Sequence, residues 1–216
     1  METCSLCQAP SVELEPELRP SDGRTYFLCP ECDLIFVAGS NLPTLEREKQ
    51  RYELHDNDPG NTGYRAFLAR AVECLRPHLQ KGARGLDYGC GPSPVLASLF
   101  DAEGFPTAFF DPIFHKNSSP LGETYDFVTC TEAAEHFHRP REEFARLDSL
   151  LRLEGWLAVM TKRIEDRRAF RDWHYHRDPT HVCFYSIRTM NWLAQHHRWR
   201  CSVVSPDIVL FQKKSR

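Results

Sequence analysis

From residue 60 onward, helix-spaced apolar positions take turns with short β-branched or aromatic runs, an order few architectures accommodate. Tyr64, Phe67, Leu68, Ala71, Val72, Leu75 and Leu79 fall on one helical face, and Pro77 marks the approach of its end. The pattern then predicts a strand in "RGLDYG", a helix over 92–103, and strands in "PTAFFDP" and "YDFVTCTE". A helix over 140–151 turns Phe144, Leu147 and Leu151 inward, "GWLAVMTK" makes a strand, and Ser186 caps a helix running to 197. Two last strands, 200–205 and 207–213, are separated only by "SPD", which forces them antiparallel. The expected fold is α/β: a doubly wound, mostly parallel sheet with one antiparallel strand near its end.

Residues 1–39 read differently. "CSLC" (4–7) and "CPEC" (29–32) are two tight turns, and each can aim a pair of thiolates at one point about 2.3 Å away, as tetrahedral zinc requires. "TYFLC" and "LIFVA" supply strands for a hairpin between them, so a zinc ribbon held by Cys4, Cys7, Cys29 and Cys32 is expected. Four protein ligands leave no open coordination position, which makes the zinc structural. A segment this poor in core residues is hard to order without the metal. Residues 40–59 form a polar connector with a short helix around 44–54, and 60–216 form the larger domain. Cys74, Cys90, Cys130, Cys183 and Cys201 show no pairing and read as small core or loop residues, Cys130 and Cys183 also as weak candidates for substrate contact.

A net charge of −3 gives no general attraction to a polyanion. In the first 39 residues Glu2, Glu13, Glu15, Glu17, Asp22, Glu31 and Asp33 oppose only Arg19 and Arg24, so nucleic acid is disfavoured as a partner. No apolar run approaches the roughly 20 residues of a membrane span. "METCSLCQAP" lacks the basic and apolar regions of a secretory signal, so a cytoplasmic location is expected. There the cysteines stay reduced, and paired ones read as metal ligands rather than disulfides.

"LDYGCGPSP" (86–94) occupies the turn after the first strand of the sheet, where open α/β folds place their ligands. A dinucleotide fingerprint needs a third small residue where Pro94 stands, and a Walker lysine is missing. What remains is Asp87-x-Gly89-x-Gly91, with Ser93 where a third glycine would stand.

That D-x-G-x-G resembles motif I of the class I S-adenosylmethionine-dependent methyltransferases. "FFDP" ends the second strand with Asp111, placed to accept hydrogen bonds from ribose hydroxyls. "TEAAEHFHRP" resembles the E-x-x-E-H-x-x-x-P segment of the ubiquinone-biosynthesis-like branch, and "LRLEGWLAVMTK" resembles the turn and fifth strand that follow, with Glu154 replacing the first glycine. The resemblance covers residues 60–213 and implies a Rossmann-like methyltransferase domain over 60–216. It implies Asp87, Gly89, Gly91, Asp111, Thr131 and Glu132 as the cofactor-binding set. Asp87 would take the cofactor's ammonium or else brace the turn; Asp111 would hold the ribose or else cap a helix. Only 13 residues separate Asp111 from Tyr125, so one β-α unit is abridged, the sheet is expected to lose its edge strand, and the adenine falls to the 112–120 loop and to 131–133.

Methyl transfer needs a general base only when the acceptor holds its proton tightly. His136, His174, His176 and His181 are the candidates, at most one of them acting; His136 also reads as a loop brace, and His174, His176 and His181, the first two alternating as on a strand, as a weaker metal set. Trp173, Tyr175, Phe184 and Tyr185 read as core or as a substrate cage. Lys162, Arg163, Arg167, Arg168 and Arg171 read as a solvated face or as the mouth of a site for an anionic acceptor. The expected activity is methyl transfer from S-adenosylmethionine to an oxygen, nitrogen or carbon of a small molecule. The competing readings are RNA or protein methylation, with the ribbon as docking module for a protein partner, and a non-catalytic scaffold.

Overall fold

The computed structural model describes residues 2–53 and 60–215. In chain order the elements are β1 (Glu2–Thr3), β2 (Pro10–Glu13), β3 (Tyr26–Leu28), β4 (Ile35–Val37), α1 (Leu45–Glu53), α2 (Thr62–Leu75), β5 (Gly85–Tyr88), α3 (Val95–Ala102), β6 (Thr107–Phe110), β7 (Tyr125–Thr131), α4 (Pro140–Leu150), β8 (Leu151–Met160), β9 (Cys183–Phe184), α5 (Ile187–His197), β10 (Trp199–Val203) and β11 (Ile208–Lys213). The expected end of α1 at residue 54 lies outside the described residues. No described helix is long and apolar enough to cross a membrane.

The large sheet has the order β10-β11-β8-β7-β5-β6. β5, β6, β7 and β8 run parallel, while β11 is antiparallel to both β8 and β10. β11 is therefore the one reversed strand. β6 forms the edge, and the stretch between Asp111 and Tyr125 carries only a 3-10 turn, Ser119–Gly122, where a further helix and strand would fit. Asn61 caps α2 by accepting from the Tyr64 amide at 3.0 Å, and Ser186 forms a capping box with Thr189 on α5. α3 starts at Val95, three residues later than the sequence pattern suggests, because Pro92 and Pro94 hold the loop before it. Glu154, inside β8, adopts φ +62°, so the strand bends there with the left-handed backbone that the resembling motif gives to glycine.

Apolar faces on the two sides of this sheet are covered unlike each other. α2 and α3 pack Leu68, Val72, Leu75 and Phe100 onto Phe127, Met160 and Leu210. On the opposite face the core continues without a break into the cysteine-bearing segment, from Phe144 and Leu193 through Phe170 and Phe184 to Tyr26 and Cys4. Tyr26 meets Phe170 edge-on at 5.4 Å, and Phe170 meets Phe184 at 5.1 Å.

Backbone pairing crosses the same boundary. The small sheet has the order β1-β2-β3-β4-β9, so its last strand comes from beyond residue 180. Ile35 stands opposite Phe184 and Phe36 opposite Cys183, and the Val37 amide donates to the Val182 carbonyl at 2.9 Å. Asp33, buried, pairs with Arg167 and accepts from the Ser186 hydroxyl at 2.5 Å. Arg188 donates to the Pro30 carbonyl at 2.7 Å. His174 and His176 do not alternate along a strand: they sit on a 3-10 turn, His174–Arg177, because the chain must fold back to bring β9 alongside β4.

Asp33→Ala is expected to lower stability by about 1–3 kcal/mol, since it removes the charge-assisted bonds of a buried carboxylate to Arg167 and to the Ser186 hydroxyl. Urea unfolding of variant and parent measures it; a change inside experimental error would mean this junction contributes nothing.

Candidate functional site

β5 ends in a turn that only glycine makes comfortably. Gly89 has φ +79° and Gly91 φ +67°, both in the left-handed region. A Cβ on Gly89 would stand 2.7 Å from the Cβ of Ala133, so this glycine is needed for packing against the loop after β7. A Cβ on Gly91 would meet open space, consistent with a face left clear for a ligand. The turn forms one wall of a cavity of about 430 Å³ at the carboxyl ends of β5 and β7. Asp87, Thr131, Glu132 and His136 line it, with Tyr52 and Tyr64 on the helical side.

Two acids flank the turn. Asp87 is buried and accepts from the Thr129 hydroxyl at 3.0 Å. Burial raises its pKa to about 7; the Thr129 bond opposes the shift and the neighbouring Asp111 charge adds to it. Asp111 faces the glycine turn rather than solvent. Its Oδ2 accepts from the Gly91 amide at 3.0 Å, and its Oδ1 accepts from the Ile113 and Phe114 amides at 2.8 and 2.9 Å. A carboxylate accepts about four hydrogen bonds, so Asp111 retains room for about one more unless the loop moves.

The far wall is the turn after β7. Glu132, at φ +48°, has its pKa raised to about 9, first by burial and then by Glu135, against the pull of Lys162. Glu135 is fully buried: one oxygen accepts from the Tyr175 hydroxyl, and Oε2 has no partner among the described residues. His136 Nδ1 lies 3.0 Å from the Thr180 carbonyl and His181 Nδ1 2.7 Å from the Tyr175 carbonyl. Carbonyls only accept, so each Nδ1 carries the proton and each Nε2 the lone pair. The rings lie 4.7 Å apart, and burial, the largest effect, drops the His136 pKa to about 4. Ligating atoms of Glu135, His136 and His181 lie within 4.8 Å of one another.

His136 and His181 are thus brought into the cavity, and the other two candidate histidines are not. His176 is buried against the cysteine-bearing segment, with Nε2 3.0 Å from the Arg171 carbonyl and Nδ1 3.7 Å from Asp22. His174 lines a second cavity, with Nε2 2.9 Å from Lys162 Nζ. The grouping of His174 and His176 with His181 around a metal is not formed, because the 3-10 turn points the first two to different surfaces. Trp173, Tyr175, Phe184 and Tyr185 pack together or into the core, and Trp173 also lines the second cavity. Two residues went unread as site residues in the sequence. Tyr52, from the connector helix, has its ring 5.1 Å from that of His136, and Glu135 lies inside the recognised E-x-x-E-H run. The helical spacing of Tyr64 marks it as core, and only the tertiary arrangement shows it on the cavity wall.

The four N-terminal thiols converge. Cys4 Sγ lies 3.6 Å from Cys32 Sγ and Cys7 Sγ 3.3 Å from Cys29 Sγ, all four within 4.8 Å of one another. Tetrahedral zinc sets its sulfur ligands about 3.8 Å apart, so the donor set fits. Both turns have the same form. The Gln8 amide reaches the Cys4 carbonyl at 3.1 Å and the Asp33 amide the Cys29 carbonyl at 2.9 Å, with φ +68° and +65° at the two donors. The Cys32 thiol bond lowers Cys4 to about 5 and pushes Cys32 up.

Residues 61–201 match a family model described as a methyltransferase domain. No curated protein matches at a significant level. Among solved structures, the Burkholderia thailandensis 1,6-didemethyltoxoflavin-N1-methyltransferase with bound 1,6-didemethyltoxoflavin and S-adenosylhomocysteine is similar with a TM-score of 0.58. Identity is 12%, over 96% of this chain and 100% of that one. A SAM-dependent methyltransferase from Archaeoglobus fulgidus is similar with a TM-score of 0.52 at 15% identity, over 69% of this chain and 94% of that one. At such identities the likeness speaks for the fold.

Asp87 titrates higher in the folded chain than its ordinary value of 3.8, so its ionisation costs stability as pH rises from about 4 through about 7. Asp87→Asn keeps an acceptor for Thr129 and removes that cost. Relative to the parent it is expected to gain about 1–3 kcal/mol between pH 5 and pH 8, read from urea unfolding at the two values.

Proposed function

The chain belongs to the methyltransferase-domain family and is an S-adenosylmethionine-dependent methyltransferase, and on that premise we propose that it methylates a small molecule through the cavity at the ends of β5 and β7. The observation that carries this reading is the lining. The cofactor brings a sulfonium, a zwitterionic amino-acid tail and no phosphate, and the cavity answers with buried carboxyls and a glycine turn instead of basic side chains. Asp87 would take the ammonium, whose charge restores the ionisation that burial opposes. Asp111 would take one ribose hydroxyl while still bracing Gly91, and Thr131 and Glu132 would lie along the adenine together with the 112–120 loop. Bound there, the cofactor supplies an electrophilic methyl group.

This chain's own contribution is positioning. Bringing acceptor, methyl carbon and sulfur into line accounts for much of the rate in such displacements. His136, held neutral by burial with its proton on Nδ1, can receive a proton only from an acceptor that gives it up readily. That favours an acidic hydroxyl, a ring N–H or a neutral amine over an alkyl alcohol. The toxoflavin enzyme, whose structure is similar along its whole length, is named as an N1-methyltransferase and holds 1,6-didemethyltoxoflavin beside S-adenosylhomocysteine, which supports the small-molecule reading. The four thiolates would hold zinc with no position left for substrate, a structural metal that fixes β4 and through it β9.

Two measurements test this. Calorimetric titration with S-adenosylhomocysteine is expected to give saturable binding that Asp111→Ala weakens about tenfold or more without loss of fold, and no binding by the parent would leave a scaffold role ahead. Metal analysis is expected to find one zinc per chain, released on Cys29→Ser. Because β9 pairs with the cysteine-bearing sheet, that variant is also expected to lose cofactor affinity; unchanged affinity would detach the metal from the site.

A further inference from the structure

Beside the cofactor cavity lies a second one, of about 600 Å³, closed by the end of β8, the 3-10 turn Arg167–Asp172 and the 205–207 turn. The two share a wall. Thr161, at the end of β8, bonds the Tyr175 hydroxyl at 3.1 Å, and that hydroxyl in turn donates to Glu135 of the cofactor cavity. The next residue, Lys162, lines the second cavity, and its charge reaches Glu132 of the first.

Phe170, Trp173 and Ile164 make the second cavity apolar on one side. The other side is charged, with Arg70, Lys162 and Arg163 set among Glu165, Asp166 and Asp207, and its hydrogen-bonding groups are unequally satisfied. Arg70 is held by both oxygens of Asp207, one of them at 2.9 Å. Arg163 is different. Its Nη2 donates to the Ser205 carbonyl at 2.6 Å, while Nη1 is buried with no partner among the described residues. Burial pulls the Arg163 pKa down, while the nearby Asp207 and Glu165 charges pull it up. Lys162 Nζ, 2.9 Å from His174 Nε2, makes its contact with a neutral ring nitrogen and not with a carboxylate. Of the three acids on the rim, Asp207 is engaged by Arg70, Asp166 accepts from the Arg168 amide at 2.9 Å, and Glu165 acts on Arg163 by charge without an ion pair between them.

An orphaned guanidinium N–H inside a cavity with an aromatic wall fits a flat ligand carrying an oxyanion, because a carboxylate or phosphate oxygen supplies the missing acceptor as a charge-assisted bond. We propose that this cavity is the acceptor chamber and that the acceptor is an aromatic or similarly flat oxyanion, its charged end held by Arg163 and Lys162 and its body lying along Trp173 and Phe170. The assignment of the occupant as methyl acceptor rests on the methyl-transfer reading above; the anion site itself does not. The charged end of the acceptor stays in this cavity, and its nucleophilic end reaches past Glu132 and the Tyr175 hydroxyl to His136 in the cofactor cavity.

The test is titration of the full chain with benzoate, phenyl phosphate, inorganic phosphate and benzyl alcohol, with S-adenosylhomocysteine affinity measured on the same samples. Saturable binding of benzoate or phenyl phosphate is expected, tighter than inorganic phosphate and benzyl alcohol by about tenfold or more. Which aromatic anion binds better identifies the oxyanion. Arg163→Gln is expected to weaken it by at least about tenfold, Arg163→Lys to restore part of it, and Lys162→Ala to weaken it less, all three leaving S-adenosylhomocysteine affinity in place. Lys162→Ala keeps the test open if the loss of the Ser205 contact prevents Arg163→Gln from folding. Benzyl alcohol binding as tightly as the anions, or anion binding indifferent to both Arg163→Gln and Lys162→Ala, overturns the proposal. Aromatic anions that bind a parent unable to bind S-adenosylhomocysteine would leave the anion site standing and remove the methyl-transfer reading instead.

Discussion

Residues 180–185 are held from both sides at once, and the arrangement of the cavity depends on that grip. On one side Cys183 and Phe184 pair with β4, and Val182 accepts from Val37. On the other, the Val182 amide donates to the Glu135 carbonyl at 2.8 Å, the Tyr185 hydroxyl to the Ala134 carbonyl at 2.9 Å, and His136 to the Thr180 carbonyl. Buried peptide groups need partners, so neither side can let go without stranding polar atoms. The cysteine-bearing segment and the turn after β7 are thereby one mechanical unit, two hydrogen-bond steps apart.

Buried acidity gives the cavity its character. Asp87 and Glu132 both titrate far above the usual carboxylate range, first because they are buried and then because another acid stands near each. A site of this kind repels phosphates and rewards a cation. The adjoining cavity is lined differently, with Arg70, Lys162 and Arg163 set among Glu165, Asp166 and Asp207, and with one buried Arg163 N–H that has no partner among the described residues.

Much of this was legible in the residues. Helical and alternating periodicity located every element of the large sheet, the 13-residue gap after Asp111 foretold the shortened edge, and the glycine turn marked the cavity. The histidine cluster was only half legible. His136 and His181 are 45 positions apart in sequence and meet through β9, whose two residues carry too little pattern to predict a strand. His174 and His176 sit close by in sequence yet leave the site, because a 3-10 turn has a different period from the strand their spacing suggested. The role of the N-terminal segment was hidden for a related reason: its pairing partner is some 150 residues away, and only Ile35 opposite Phe184 reveals it. Tyr52 was obscured because a helix rich in charge looks like a linker until its one aromatic ring is seen beside His136.

The abridged sheet leaves β6 at the rim, with Phe109 40% exposed. A bare rim strand invites docking by a strand of another molecule, since half of its peptide groups face outward. Here it is four residues long, preceded by Pro106 and followed after Asp111 by Pro112. Neither proline has an N–H to offer, and the chain turns back at once to pair Asp111 with His115. Losing a strand has therefore not made the molecule adhesive: a ladder that would grow by recruitment of further chains is stopped within about 14 Å by its own punctuation.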